Sequence, residues 1–338
     1  MALPEILNQY HPEIESELQS ALQSVPGNAL PLYQIMAYQL GWVDKQGIPE
    51  PYNYSERFYS SLCLQAAKLF SDESVIPVAA GIEFLFNSIK VHEDMQTGDP
   101  HLEYRPSVWW EWGPAQAINI GDGLHALARV AVFRLRHYGH SPEAILRAIN
   151  LLDDIALQYY EGQYLELTFQ ERIDVMESQY LSMAAAKKGS LLAGALKLGS
   201  VISGASDKAV DALYQLGIKL GLAAQIREDI DSFFPPRENT PVSPRVLNKT
   251  KLFPVIRALE IATISQKRAL GEIYFKRVIQ PEDLQNIYTA IKDLDVFEYA
   301  ESKVKAFYQD ALDLLEQAGV ENEQLPHWHQ IADYIVRR

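Results

Sequence analysis

Two short acidic runs share one form: His92-Glu93-Asp94-Met95-Gln96-Thr97 and Arg227-Glu228-Asp229-Ile230-Asp231-Ser232. Each sets a Glu-Asp pair ahead of a hydroxyl, Thr97 after Glu93 and Ser232 after Glu228, both at a spacing of four. On a helix that spacing puts both residues on one face, with the Asp beside them. Mg²⁺ takes hard oxygen ligands and keeps several waters, so one or two carboxylates plus phosphate oxygens suffice to hold it. Two such helices facing each other across a bundle would grip a diphosphate between bridging ions. A solvated helix surface is the commoner meaning of either run alone. The shared form and the apolar setting of both runs bring the two meanings level on spacing alone.

The elements that must position these runs are helical. Apolar residues recur at three- and four-residue steps from end to end, and no alternating strand segment or Asn-Gly hairpin interrupts them. Segments 75–91, 115–139 and 182–205 are apolar around most of their circumference, as central helices of a large bundle are. The segment 55–70 is predicted to start at a Ser55 cap. Breaks are short except at 235–251, where four prolines exclude regular helix and a functional loop is expected. No fixed-period repeat or compositional shift divides the chain, so residues 1–338 are read as one all-α domain.

Bulk composition narrows the partners. The 338 residues carry a net charge of −14, which argues against a nucleic-acid partner. No basic amphipathic stretch marks a membrane surface, and no window reaches the roughly 18 apolar residues of a membrane span. Cys63 is the only cysteine, which excludes an intramolecular disulfide and fits a reducing compartment. The first residues have no signal-peptide pattern, and a soluble cytoplasmic protein is expected.

Several longer segments add to the two runs. "GIKLGLAAQIREDI" is similar to the glycine-leucine-glycine helix of the trans-polyprenyl diphosphate synthases, which runs through Gln225 into their second aspartate-rich motif. "IEFLFNSIKVHEDMQTGDP" resembles the helix of their first motif, and "RPSVWWEWGPAQAINIGDGLHALA" the segment after it. "YEGQYLEL", with Gln163, and "YLSMAAAKKGSLL", with Lys187, stand at the places of a Gly-Gln helix and a diphosphate-binding Lys helix. "LNKTKLFPVIRALE" matches a basic loop in which Lys249 or Lys251 supplies a further cation. The resemblance covers roughly residues 27 to 320. It implies a single-domain, isoprenoid-synthase-like helical bundle around a deep central cavity, usually a homodimer. It also implies three Mg²⁺ ions held by Glu93, Asp94, Thr97, Glu228, Asp229 and Ser232, which with Lys and Arg side chains ionise an allylic prenyl diphosphate. Arg105 is a further diphosphate contact on this reading. Phe86, Ser88 and Ile89, just ahead of the first motif, fall where the family shapes substrate binding and chain length.

Departures from the family pattern are selective. Each motif has Glu-Asp in front and a hydroxyl last, where the family has Asp-Asp and Asp, so metal binding is expected to be weaker but retained. Lys188 replaces a Thr, and Lys90 replaces an apolar residue and is placed to pair with Glu93 or Asp94. The pocket for the second substrate, isopentenyl diphosphate, changes most. Matching its early basic stretch to "GNALPL" puts Gly27, Asn28 and Leu30 at the cations; a later Arg pair falls on Leu102 and Glu103; a His becomes Phe86; and a Phe becomes Ala224. Phosphate recognition needs those charges. The first expectation is therefore a terpene synthase-like enzyme that ionises one allylic diphosphate, with fifteen to twenty carbons favoured. The cation would then cyclise, lose a proton or capture water, stabilised by fixed charges and aromatic faces. A non-catalytic partner subunit of a catalytic homologue and a prenyltransferase, chain-elongating or directed at another acceptor, are the alternatives. Trp109, Trp110, Trp112 and the His327-Trp328-His329 run are read as packing, and His92 as a neighbour of the metal helix.

Overall fold

The computed structural model describes residues 3–50, 56–102, 105–234, 243–276, 279–291 and 293–337, and the structural statements below concern these. The architecture is all-α. The long helices Ile76–Thr97, Pro114–Phe133, Pro142–Phe169, Ser190–Ile202 and Asp207–Phe233 surround a common core. Among the described residues the strands are a two-residue antiparallel pair, His101–Leu102 with Arg105–Pro106. Helix Ile76–Thr97 packs along Pro114–Phe133, and Ser190–Ile202 is gripped between Phe58–Ala67 and Asp207–Phe233. A second, smaller apolar cluster joins Phe233 to Leu252, Leu270, Ile287 and Val296.

Local chemistry sets the helix ends that matter. Helix Ile76–Thr97 stops at Gly98, whose φ of +70° is the left-handed conformation that glycine accepts freely. Helix Asp207–Phe233 begins at Ser206, whose side chain accepts from the Ala209 N–H. Both acidic runs thus sit near helix C-termini, where the exposed carbonyls already carry negative partial charge. Carboxylates in that position need cations close by.

Backbone contacts bring the lysines to them. The residues 185–189 form a turn of π-helix, and Lys187 and Lys188 lie in it. Such turns insert one extra residue and re-aim the side chains around them. A Cβ on Gly221 would come within 2.4 Å of the Gly189 Cα, and one on Gly162 within 2.8 Å of the Lys187 amide nitrogen. Glycine at these two positions lets helices 207–233 and 142–169 close onto the lysine turn.

Three local expectations are corrected. Helix Phe58–Ala67 begins after Arg57, itself at φ +48°, and Ser55 lies outside the described residues. The 182–205 segment is not one uninterrupted α-helix, because the π turn divides it. Within the proline-rich stretch, residues 235–242 lie outside the described residues, but Pro244–Leu247 forms a helical turn with proline in its first positions, where no N–H is needed.

Candidate active site

A cavity of about 780 Å³ opens between the ends of helices 76–97 and 207–233. Its depth is apolar, lined by Phe58, Tyr59, Phe86, Ile89, Leu191 and Leu192. Its mouth is charged: Glu93, Glu166 and Glu228 face Lys187, Lys188 and Arg245 across it. An apolar pocket ending in a charged cluster that contains Lys187, Lys188 and Arg245 suits an amphiphilic anion with a hydrocarbon tail.

The mouth is one connected ion-pair network. Lys187 donates to Glu166 at 2.6 Å and to Glu93 at 3.1 Å, tying helix 142–169 to helix 76–97. Lys188 donates to Glu228 at 2.6 Å. Arg245, from the helical turn over the cavity mouth, lies 2.7 Å from Asp229 and 3.4 Å from both Glu228 and Glu166. Burial opposes ionisation of Glu93 and Glu228, but the neighbouring cations win. Lys187 and Lys90 hold Glu93 below its ordinary value, and Lys188 and Arg245 hold Glu228 far below it. The same logic runs in reverse at Lys187, where burial favours the neutral amine and Glu93 and Glu166 outweigh it.

The second member of each acidic pair behaves differently from the first. Asp94 is 2% exposed and accepts from Lys90, one turn earlier, at 2.5 Å. Asp229 is 0% exposed. Besides Arg245 it accepts from the Tyr180 hydroxyl at 2.6 Å, the Phe253 N–H at 2.8 Å and the Gln225 amide at 3.2 Å. Burial pushes Asp94 up to about 7 despite Lys90. Neither Asp lines the cavity, contrary to the expectation that both pairs face it together.

The other sequence-derived residues divide. Phe86, Ile89, Thr97, Gln225, Ser232 and Lys249 line the cavity. Thr97 donates its hydroxyl to the Glu93 carbonyl at 2.8 Å. Gln163 is buried and donates to Gln96, a cavity residue, at 2.9 Å. Ser88 is buried in the core, so Ile89 alone of that pair meets the cavity. Lys251 is also buried, donating to the Gln170 carbonyl at 2.8 Å with its ammonium 4.5 Å from the Tyr274 ring centroid. Burial, with Lys249 nearby, lowers it to about 8. Of the two candidate lysines, Lys249 is the one at the cavity. Arg105 is a correction: it stacks 4.2 Å over Tyr38 and donates to the Tyr38 and Val43 carbonyls and to Glu50, away from the cavity.

Sequence reasoning left out Glu166 and Arg245. Glu166 follows Gln163 by three residues and so shares its helix face, a signal present in "YEGQYLEL". Arg245 had no such signal, because only folding brings the proline-rich stretch over the mouth. Lys90, placed with either acid, pairs with Asp94.

Mg²⁺ chemistry fits these residues in part. Glu93, Glu228, Thr97 and Ser232 present hard oxygens to the cavity, but Lys187 already pairs with Glu93 and Lys188 with Glu228. Asp94 and Asp229 lie off the cavity with Lys90 and Arg245 on them. Among the described residues no group of three or more His, Cys, Asp or Glu is arranged to hold a metal ion.

The polyprenyl synthetase family model matches residues 53–291. The chain belongs to that family. A geranylfarnesyl diphosphate synthase from Aeropyrum pernix is 30% identical over 273 residues, covering 80% of this chain and 85% of the relative. A (2E,6E)-farnesyl diphosphate synthase from Mycobacterium tuberculosis (strain ATCC 25618 / H37Rv) is 26% identical over 313 residues, covering 90% of this chain and 85% of the relative. The crystal structure of a polyprenyl synthetase from Streptomyces coelicolor A3(2) superposes with a TM-score of 0.84 at 26% identity, covering 98% of each chain. The fold is thus that of the polyprenyl synthetases, as the resemblance implied. The family match also corrects one alignment. Gly27, Asn28 and Leu30 lie upstream of it and are exposed, far in sequence from any cavity residue. The segment that reaches the cavity from this end of the chain is the start of helix Phe58–Ala67, with Phe58 and Tyr59. The preceding Arg57 is buried against Glu15 at 2.5 Å and Glu83 at 3.6 Å. Glu103 lies outside the described residues. No described helix is long and apolar enough to cross a membrane.

Proposed function

We propose that this polyprenyl synthetase family member binds one allylic prenyl diphosphate and ionises it, in the manner of a terpene synthase. The observation that carries the reading is a single cavity whose mouth holds three clustered cations and whose depth is aromatic and aliphatic. Lys187, Lys188 and Arg245 would take the diphosphate oxygens, and the prenyl chain would lie against Tyr59, Phe86 and Leu192. As the C1–O bond breaks, its electron pair leaves with the diphosphate, where the cations stabilise the developing charge. The allylic cation is left beside the Tyr59 and Phe86 rings, which are 4.7 Å apart. It either loses a proton to the departed diphosphate or takes up water, whose proton the diphosphate accepts. When bound, Mg²⁺ adds positive charge against the diphosphate, with Glu93 and Glu228 as the residues that would hold it.

Phe86 and Tyr59 also support loss of the second substrate. They place aromatic rings, not cations, on their side of the cavity, where a second diphosphate would find no charge from those two residues. Two observations favour other readings. Asp94 and Asp229 are closed by ion pairs, as a binding-only partner subunit would tolerate. Relatives named as geranylfarnesyl and farnesyl diphosphate synthases favour a prenyltransferase. Pairing of two copies is supported by exposed Leu146, Leu157 and Tyr164, whose spacings of 11 and 7 put them on one stripe of helix Pro142–Phe169.

The test incubates the protein with Mg²⁺ and ten-, fifteen- or twenty-carbon allylic diphosphates, with and without isopentenyl diphosphate, and analyses the organic extract by mass spectrometry. Cyclic or linear terpenes formed without isopentenyl diphosphate are expected. Longer prenyl diphosphates formed only with it would establish chain elongation instead. No product in any arm would leave the binding-only reading.

A further inference from the structure

The acidic pairs carry their own counterions, and the position of those counterions bears on how metal enters. We propose that Lys90, Lys188 and Arg245 act as built-in locks: they keep divalent metal off the acidic pairs until a diphosphate draws them away. This rests on the diphosphate reading of the cavity. Lys90 occupies Asp94 at 2.5 Å, Lys188 occupies Glu228 at 2.6 Å, and Arg245 occupies Asp229 at 2.7 Å. A metal ion approaching those oxygens meets an ammonium or guanidinium already at hydrogen-bonding distance, and like charges at that range repel strongly. All three cations line the cavity, so each can turn from its carboxylate to a ligand without leaving the site.

A diphosphate concentrates more negative charge in one place than either acidic pair. On entering the mouth it competes for Lys90, Lys188 and Arg245. Drawing Lys188 and Arg245 away frees the Glu228 oxygens at the cavity for a metal ion. Drawing Lys90 away strips Asp94 of its counterion, while Asp229 keeps its Tyr180, Phe253 and Gln225 donors. Metal and diphosphate then assist each other's binding, and linkage makes the assistance equal in both directions. Lys90 and Lys188 are the diagnostic residues, since each donates to one acid, whereas Lys187 joins Glu93 to Glu166.

The test titrates the purified protein with Mn²⁺, followed by the loss of the free-ion electron paramagnetic resonance signal, with and without inorganic pyrophosphate. Wild type is expected to bind Mn²⁺ weakly alone and at least about tenfold more tightly per site with pyrophosphate, after correction for free Mn²⁺–pyrophosphate complexes. Lys90→Met with Lys188→Thr should bind Mn²⁺ without pyrophosphate at least about tenfold more tightly than wild type, because two unit charges leave the ligand oxygens. Lys90→Arg with Lys188→Arg keeps the charges and should bind Mn²⁺ without pyrophosphate as weakly as wild type. Thermal melts establish that each variant is folded. If the Met/Thr pair does not fold, the wild-type arms still decide. Wild type binding Mn²⁺ equally well with and without pyrophosphate would overturn the proposal, as would a folded Met/Thr variant with no gain. Terpene formation is scored in a separate assay, so these outcomes are independent of the proposed reaction.

Discussion

The two acidic pairs look alike in sequence and are held in different ways. At the first, Asp94 has Lys90 on its own helix as its side-chain partner, and that lysine remains partly open to solvent. At the second, Asp229 is fixed by Gln225 on its own helix and by Arg245, Tyr180 and Phe253, which come from three other stretches of chain. The first arrangement can be undone by one side-chain rotation. The second ties the lysine helix, the strap over the mouth and the entry to helix Phe253–Ile261 to a single carboxylate. One pair is adaptable and the other is a structural keystone, although either could reach a ligand through its Glu.

The sharpest way to break this contrast is to remove each Asp in turn. Asp229→Ala leaves the buried Tyr180 hydroxyl and Phe253 N–H without their acceptor and Arg245 with its two longer pairs to Glu228 and Glu166. It should cost about 3–5 kcal/mol of stability. Asp94→Ala leaves Lys90 free to turn toward water and should cost about 1 kcal/mol or less. Urea unfolding of the two variants measures both, and equal costs would erase the distinction. Next in size is Lys187→Ala, which removes the link between Glu93 and Glu166 and one direct cation from the mouth. Affinity for inorganic pyrophosphate, measured by calorimetry with Mg²⁺ present, should fall about tenfold to a hundredfold, the range for lost charge-assisted hydrogen bonds.

The smallest expected effect is a pH slope. Asp94 is pushed up to about 7 in the folded chain from an ordinary value of 3.8, so protonation favours folding. Its contribution is fully present below about pH 4 and is lost as pH rises through 7. Glu228 has the opposite sign: held down by Lys188 and Arg245, it stabilises the fold above its ordinary value of 4.5 and fails only in strong acid. Urea midpoints from pH 5 to 8 should therefore fall less steeply with rising pH in Asp94→Asn than in wild type. Glu228→Gln should leave that slope unchanged.

Much of the site was legible because helical periodicity places residues on faces. Glu93 with Thr97 and Glu228 with Ser232 reached one cavity as their spacing of four required. Spacing says which side chains share a face but not which atoms they meet, so the closure of Asp94 and Asp229 was hidden. Arg105 misled for the same reason: its neighbours in sequence suggested a ligand, while Tyr38 and two carbonyls engage it in the fold. The start of helix Phe58–Ala67 was missed because Arg57 enters it from a left-handed conformation that side-chain identity does not announce. The π turn at 185–189 escaped as well, since the helices that close on it at Gly162 and Gly221 are distant in sequence.

Pyrophosphate release from a fifteen-carbon allylic diphosphate, followed with Mg²⁺ under single-turnover conditions, is the most direct test of the central claim. Release at the same rate with and without isopentenyl diphosphate is the expected result, and a loss of that release in Lys187→Ala would place it in this cavity. Release that begins only when isopentenyl diphosphate is added would contradict it.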